Sequence, residues 1–558
     1  MRSTLALGLV FVAAVTAGAA GITAADTAGT TLSGPGPGSG PDDRLAGPGS
    51  DPAAGAPAVV AAYPNPVAAD DAGEFVVLSV PPGTDLGTFA VGDGEARVRL
   101  PNVTAGGRVT LSTDPDATRA LLDRRVYPLS DRLQLANGGE RIRLYHGARV
   151  VDSLAYEDAP GGDLRVRDGD RPWRPLGATN REVVAAGEGR VTAFLLPDAP
   201  DVAVDHLRSA EERVLLAGYT FTSGRAADAL VAAARRNVSV RVLVDGDPVG
   251  GMTDRQAAIL DRLARAGIDV RVLGGDRARY RFHHAKYAVV DGRVLVTTEN
   301  WKPAGLGGNG SRGWGVVTTQ PRVVDGLVET FRADASWQDA QPWQEVRDSR
   351  EFVAAEPANS TYPSRFEPAR VPVEGARLLV APDNAEPVIR AAIAGANESL
   401  AIEQVTLGGR AQPFVRETLD AARRGVHVRV LLAGAWYVRE DNERLVAWLN
   451  RRAEVEDLPL EARVADPRGR FEKIHAKGVV VDGDCVLLGS VNWNNNSVRH
   501  NREVVLVLEG AEVGAYYRRA FEADWRGGAR RLPAGVVVVL LVGVAAALLG
   551  ARRIRFEE

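Results

Sequence analysis

Between Val59 and about Ala185, apolar and polar residues alternate in short runs such as Glu74-Phe-Val-Val-Leu-Ser-Val, Ala96-Arg-Val-Arg-Leu, Arg108-Val-Thr-Leu, Arg141-Ile-Arg-Leu and Val150-Val-Asp-Ser-Leu. Turn residues punctuate them. A period of two without a long helical pattern predicts a β-sandwich over residues 58–185. From about Val191 the pattern becomes helical and strand segments in alternation, and it repeats. Ala233-Ala-Arg-Arg-Asn-Val-Ser-Val-Arg-Val-Leu-Val-Asp-Gly246 recurs as Ala421-Ala-Arg-Arg-Gly-Val-His-Val-Arg-Val-Leu-Leu-Ala-Gly434, a helix end running into a buried strand. Helix, strand, helix, strand, helix and strand can be read in each copy, which implies parallel pairing with right-handed crossovers and helices on both sheet faces. Each copy then closes with a strand pair turning at Asp291-Gly292 or Asp482-Gly-Asp484. The expected fold is a duplicated α/β/α sandwich, residues 190–345 and 365–528, preceded by the β-sandwich.

The ends read differently. Arg2 precedes an apolar stretch from about Leu5 to Ala20 followed by small residues, so residues 1–25 are expected to be a cleaved secretory signal peptide. Residues 26–57 are Gly, Pro, Thr, Ser and Asp with almost no large apolar side chain, as expected of a disordered Gly/Pro-rich linker. Ala534 to Ala551 carries no charged or polar side chain. A helix of that length spans about 27 Å, so a transmembrane helix is expected at 533–551. Flanking arginines on both sides leave the positive-inside rule nearly tied, and the signal peptide decides for an external globular portion, exported and held to the cell membrane by a single pass.

The formal charge of −4 over 558 residues argues for neither a strongly basic nucleic-acid binder nor an acidic disordered chain. The single cysteine, Cys485, excludes an intramolecular disulfide and sits in an apolar run as a small hydrophobe. Lysine occurs only at Lys286, Lys302, Lys473 and Lys477.

Two of those four lysines belong to the duplicated hairpins, in His284-Ala-Lys286-Tyr-Ala-Val-Val-Asp291 and His475-Ala-Lys477-Gly-Val-Val-Val-Asp482. On a strand, residues two apart share a face, so each copy presents an imidazole beside an ammonium. Asp291 and Asp482 lie an odd number of residues further on, face away, and read as braces of the turn. The segments that follow align as Thr297-Thr298-Glu299-Asn300-Trp301 and Gly489-Ser490-Val491-Asn492-Trp493, adding a hydroxyl (Thr298, Ser490) and an amide (Asn300, Asn492) to each half. For a phosphodiester these are the needed parts: a nucleophile, an acid and fixed donors for the phosphoryl oxygens.

Two H-x-K-x4-D motifs followed by a G-S-x-N pattern resemble the phospholipase D superfamily over roughly Val191 to Trp525. The resemblance implies one shared, metal-independent phosphodiesterase centre with no cofactor, in which His284 forms a phosphohistidine and His475 protonates the leaving alcohol. Lys286, Lys477, Asn300 and Asn492 would hold the phosphate, and Glu503, in Asn501-Arg-Glu, resembles the family's acid that orients a histidine. The first copy shows no counterpart of Glu503, offering Ser311-Arg-Gly-Trp-Gly instead, and its Thr297 replaces a glycine that would leave phosphate more room. Trp301, Trp314 and Trp493 would floor a channel or pack in the core. His146, His206, His283, His427 and His500 are expected in surface or packing roles, and no Cys/His/carboxylate spacing suggests a metal.

At Tyr63-Pro-Asn-Pro, Gly73-Glu-Phe-Val, Leu133-Gln-Leu-Ala-Asn-Gly-Gly-Glu, Asp152-Ser-Leu-Ala-Tyr156 and Trp173, the 58–185 region resembles the lamin-tail domain family, which implies an immunoglobulin-like accessory module. The expected substrate is a phosphodiester, with phospholipid favoured over nucleic acid because an anchor holds the site near a bilayer. A DNA nuclease and a non-catalytic surface binding protein are the alternatives. No obligate protein partner is inferred.

Overall fold

The structure is a computed structural model describing residues 56–527, except 123, 130–132, 168–171, 276–277 and 356. The expected signal peptide, nearly all of the linker and the expected membrane helix at 533–551 lie outside the described residues. Among the described residues, no helix is long and apolar enough to cross a membrane.

Residues 58–175 form two sheets. Six strands in the order Trp173–Pro175, Asp163–Val166, Ala58–Tyr63, Phe75–Asp85, Thr104–Ser112 and Val126–Pro128 make one. Arg97–Arg99, Phe89–Gly92, Gly139–His146 and Arg149–Glu157 make the other. Val76, Leu78 and Leu111 of the first share a core with Val91, Ile142 and Leu144 of the second, so the alternating pattern buries one face of each sheet against the other.

Each α/β copy builds a mixed sheet. In the first, Arg213–Gly218, Ser239–Asp245 and Asp269–Leu273 run parallel, joined by the helices Gly224–Arg235 and Asp254–Arg265. The hairpin Tyr287–Val290 and Arg293–Thr297 then adds antiparallel, followed by Gly313–Thr318 and Gly189–Leu196. The second copy repeats this with Ser399–Gln404, His427–Leu432 and Leu460–Val464 parallel and Gly478–Val481, Cys485–Gly489, Glu503–Glu509 and Gly375–Ala381 antiparallel. The outer faces are covered by helices such as Gly224–Arg235 and Pro413–Arg423. The inner faces, with the helices Pro321–Ala335 and Ala511–Trp525, share a single core containing Leu195, Val289, Phe331, Leu378, Val480 and Phe521.

Two strands cross the sequence boundaries drawn from the pattern. Ala369–Val373, which the repeat places in the second copy, pairs with Gly189–Leu196 and extends the first sheet. Val184–Ala186, at the end of the β-sandwich segment, pairs with Gly375–Ala381 and extends the second. Edge pairing is fixed by which open strand lies within reach, and the local pattern of three to five residues carries no record of it.

Buried arginines tie the two copies together. Arg502 Nε donates to Asp334 Oδ1 at 3.0 Å in the first copy's helix, while Nη1 reaches Asp383 Oδ2 at 3.2 Å. In the mirror position, Arg312 pairs with Asp198 and with Asp524 Oδ2, at 2.7 Å in the second copy's helix. All these side chains are essentially without solvent exposure. Arg502→Ala is therefore expected to cost about 3–5 kcal/mol in a denaturation curve, because it leaves buried carboxylates without their cation. A loss under about 1 kcal/mol would remove this crossing from the interactions that join the copies.

Candidate active site

The histidine motifs do not begin inside their strands, as the spacing suggests. Tyr287–Val290 and Gly478–Val481 start one residue after each lysine. His284-Ala-Lys286 and His475-Ala-Lys477 form the lead-in, held by backbone bonds to the opposite copy. His284 N–H donates to Arg502 O at 2.9 Å and Arg502 N–H to Phe282 O at 2.9 Å, while His475 N–H donates to Arg312 O at 2.9 Å and Arg312 N–H to Lys473 O at 2.8 Å. Each histidine is thus placed by the residue just before a strand of the other copy, Glu503–Glu509 or Gly313–Thr318.

The side chains repeat that crossing. His284 Nδ1 lies 2.9 Å from both oxygens of Glu503, which belongs to the second copy. Burial alone would raise the Glu503 carboxyl, but His284, Lys286 and the Asn501 amide, 3.0 Å away, hold it below its ordinary value. An ionised carboxylate only accepts, so Nδ1 carries the hydrogen and Nε2 keeps its lone pair. Burial, with Lys286 and Lys477 adding to it and Glu503 opposing, pushes the His284 imidazole down to about 4. His284 is a neutral base at pH 7.

His475 Nδ1 stands 3.2 Å from Glu299 Oε2, in the first copy, without the alignment of a hydrogen bond. Sequence reasoning missed Glu299 as an acid for this half, because it lies before Asn300 and not at the position that matches Glu503. Burial raises its carboxyl to about 7, with Lys477, Lys302, Lys286 and Lys473 all pulling it down. Lys477 Nζ lies 3.2 Å from His475 Nδ1, and donates to Thr298 O at 3.3 Å across the copies. Lys286 Nζ donates to His284 O at 2.6 Å. Burial lowers both ammoniums, Lys286 well below its ordinary value and Lys477 to about 8. All four lysines of the chain therefore act on one centre.

Residues 203–335 and 389–525 match the family model described as "Cardiolipin synthase, PLD-like domain". Each copy is thus similar to a phospholipase D-like domain. Cardiolipin synthase A of Cronobacter sakazakii is 35% identical over 95 residues, which covers 17% of this chain and 18% of that relative's length. The match to a Klebsiella pneumoniae cardiolipin synthase A is 34% identical over 95 residues, again 18% of the relative. Among solved structures, phosphatidylserine synthase of Haemophilus influenzae Rd KW20 aligns over 61% of this chain and 86% of its own at 13% identity and a TM-score of 0.45. Nuc of Salmonella typhimurium, titled a phospholipase D family member, aligns over 28% and 97% at 22% identity and a TM-score of 0.25.

The remaining motif residues of the phospholipase D-like pair divide into site and scaffold. The side-chain oxygens of Asn300 and Asn492 are buried with no protein hydrogen-bond partner. The hydroxyls do not face a phosphate. Thr298 Oγ1 accepts from Trp314 N–H at 3.0 Å, and Ser490 Oγ from Val504 N–H at 2.9 Å, each bracing the neighbouring strand. Thr297, expected to crowd the site, donates instead to Trp314 O at 3.2 Å. Trp301, Trp314 and Trp493 are core residues; Trp314 stacks on Tyr517 at 4.8 Å. His283 is buried with Nε2 3.6 Å from Asp334, and His206 Nε2 meets Ala288 O at 3.1 Å.

Asp291 and Asp482 sit at the turns with φ of 52° and 50°. Asp291 accepts from the backbone N–H of Glu211, Glu212 and Arg213 at 2.8–3.0 Å, and Asp482 does the same for Asn397, Glu398 and Ser399. Slight burial would raise the Asp291 carboxyl, yet the three N–H groups hold it below its ordinary value. A depressed acid contributes stability above its unfolded pKa of about 4 and loses it as pH falls through the folded value. Asp291→Asn should therefore cost about 1 kcal/mol at pH 7, a modest figure because the site is partly solvated, and less at about pH 3, where more of the acid is protonated. Melting curves at the two pH values check this, and an equal loss at both would contradict it.

Proposed function

We propose that this chain transfers phosphodiesters by the phospholipase D route, acting on phospholipids through a phosphohistidine on His284. The observation that carries the proposal is the reciprocal completion of the two motifs, each histidine standing against a buried carboxylate of the other copy. His284 Nε2, with its lone pair free, attacks phosphorus. The bond from phosphorus to the leaving oxygen breaks, and His475 gives that oxygen its proton. His475 then takes a proton from water or an acceptor alcohol, which attacks phosphorus and releases His284. Lys286 and Lys477 balance the phosphoryl charge through both steps, doing what a metal ion would otherwise do.

The site's rim favours a lipid. Tyr219 stands edge-on to His284 at 4.6 Å and its hydroxyl accepts from Val249 N–H at 2.6 Å, placing the 78%-exposed Val249 beside one half of the centre. Beside the other half, Lys473 Nζ lies 5.4 Å from the Tyr437 ring, next to the 84%-exposed Trp436. Exposed Trp, Tyr and Val with lysine at a site mouth suit a bilayer interface. The apolar 533–551 segment is proposed as the anchor that holds an exported chain there, and the β-sandwich as a lamin-tail-like accessory module.

The full-length chain is expected to release headgroups from phospholipid vesicles in excess chelator, with single-stranded DNA and a chromogenic phosphodiester assayed alongside. His284→Ala and His475→Ala should each abolish turnover, and the double variant should be scarcely worse, because members of one catalytic unit are non-additive. Cleavage of DNA alone would replace the substrate with nucleic acid, half-activity in each single variant would mean two separate sites, and loss in chelator restored by a divalent ion would overturn the mechanism.

The pH dependence of kcat/KM follows from the free groups. It should fall below about pH 4, where His284 gains a proton and loses its lone pair; on the alkaline side it should fall first as His475, which burial and Lys477 hold well below its ordinary value, loses the proton it must give, and again above about pH 8, where Lys477 loses its charge. A rate that keeps rising through pH 10 would contradict the role given to Lys477.

A further inference from the structure

We infer that Glu299 is the positioning acid of His475, doing for the second histidine what Glu503 does for the first, with a glycine at the position that matches Glu503. The register of the two sheets sets the equivalences. Thr297 pairs with Gly315 and Leu196 with Gly313 in the first copy, as Gly489 pairs with Val505 and Ala381 with Glu503 in the second. Position 313 therefore corresponds to 503, and position 299 to 491. The second copy holds Glu503 and Val491; the first holds Gly313 and Glu299. The acid has moved to just past the adjoining strand, and the position it leaves is a glycine.

Space at the site accounts for the move. A Cβ at position 313 would stand 2.3 Å from Glu299 Cγ and 2.7 Å from Oε1, so the Glu299 side chain fills the volume a residue at 313 would use. A Cβ on Gly305 would approach Oε2 to 2.8 Å, so glycine walls the carboxyl on a second side. Held there, Glu299 has no solvent exposure, and its oxygens have no protein hydrogen bond in this state. Burying a carboxyl without a partner is costly; the lysines of the centre, Lys477 first, offset its charge, and His475 Nδ1 at 3.2 Å is the ring nitrogen within its reach. Catalytic hydrogen bonds are often poorly aligned in the ligand-free enzyme and tighten when the substrate arrives. As His475 carries a proton toward the leaving oxygen, Glu299 fixes Nδ1–H and leaves Nε2 to do the transfer. Val491, the counterpart of Glu299, is buried among apolar side chains, so the second copy needs no acid there.

The inference rests on the phosphodiester-transfer reading, and two measurements separate them. With a chromogenic phosphodiester, Glu299→Gln in the full-length chain should lower kcat by about 100-fold or more with KM little changed, and shift the pH limb that reports His475. Glu299→Val should be as poor. The reciprocal exchange Glu299→Val with Gly313→Glu should recover at least 10-fold over Glu299→Val alone, whereas Gly313→Glu by itself should not fold well. Independently of turnover, nitrogen NMR of the His475 ring should show hydrogen on Nδ1 in the parent and a mixture of tautomers in Glu299→Gln. Parental kcat in Glu299→Gln, or an unchanged His475 tautomer, overturns the role. If the parent turns over no phosphodiester, the function proposal fails and the NMR result still decides for or against Glu299; if the reciprocal variant does not fold, Glu299→Gln decides alone.

Discussion

Arg312 and Arg502 are the joints on which the catalytic centre depends. Each immediately precedes a strand, sends its guanidinium to a carboxylate on a helix of the other copy, and uses its backbone to hold the other copy's histidine segment. Guanidinium suits the position because it stays charged when buried and meets several acceptors in a fixed plane. Such pairs add less stability than their Coulomb attraction suggests, since both charges are desolvated. Their value lies in register: an unpaired carboxylate in that core would be so costly that the copies dock one way, and that docking sets His284 against Glu503.

The cations within the centre are of a different kind. Of the 67 basic residues, the four lysines all act on the centre, and arginine serves everywhere else. Desolvation lowers an ammonium readily, as it does Lys286 and Lys477, whereas a guanidinium keeps its charge. Lys286 and Lys477 are buried and Lys302 and Lys473 half-buried, so four cations stand around the two carboxylates Glu299 and Glu503, an excess that an anion such as a phosphodiester would offset.

Much of this was legible in the sequence because the relevant information is local. The duplicated Ala-Ala-Arg-Arg run, the H-x-K-x4-D spacing, the turn aspartates and Glu503 are all short patterns, and they led to the repeats, the histidine–lysine pairs and the brace at each hairpin. What escaped was fixed by contacts between distant segments. Glu299 was invisible because aligning the copies puts a glycine where its partner acid should be, and only the volume beside Gly313 explains the move. Thr297 looked like an obstruction because the pattern gives no side-chain direction; its hydroxyl has turned to the neighbouring strand. The short strands Val184–Ala186 and Ala369–Val373 could be recognised as strands at most, not assigned to a sheet.

Those two exchanged strands bear on how the chain reaches this state. The edge at Gly189–Leu196 is closed only when Ala369–Val373 has been synthesised, and Gly375–Ala381 closes an edge already waiting at Val184–Ala186. Contacts that far apart in sequence slow folding, since loop closure must be completed before the pairing rewards it. While the ribosome is still making the second copy, the first carries an open strand able to pair with any neighbouring chain. Neither half is thus an independent folding unit, and a truncation that separates them would free an adhesive edge on both products.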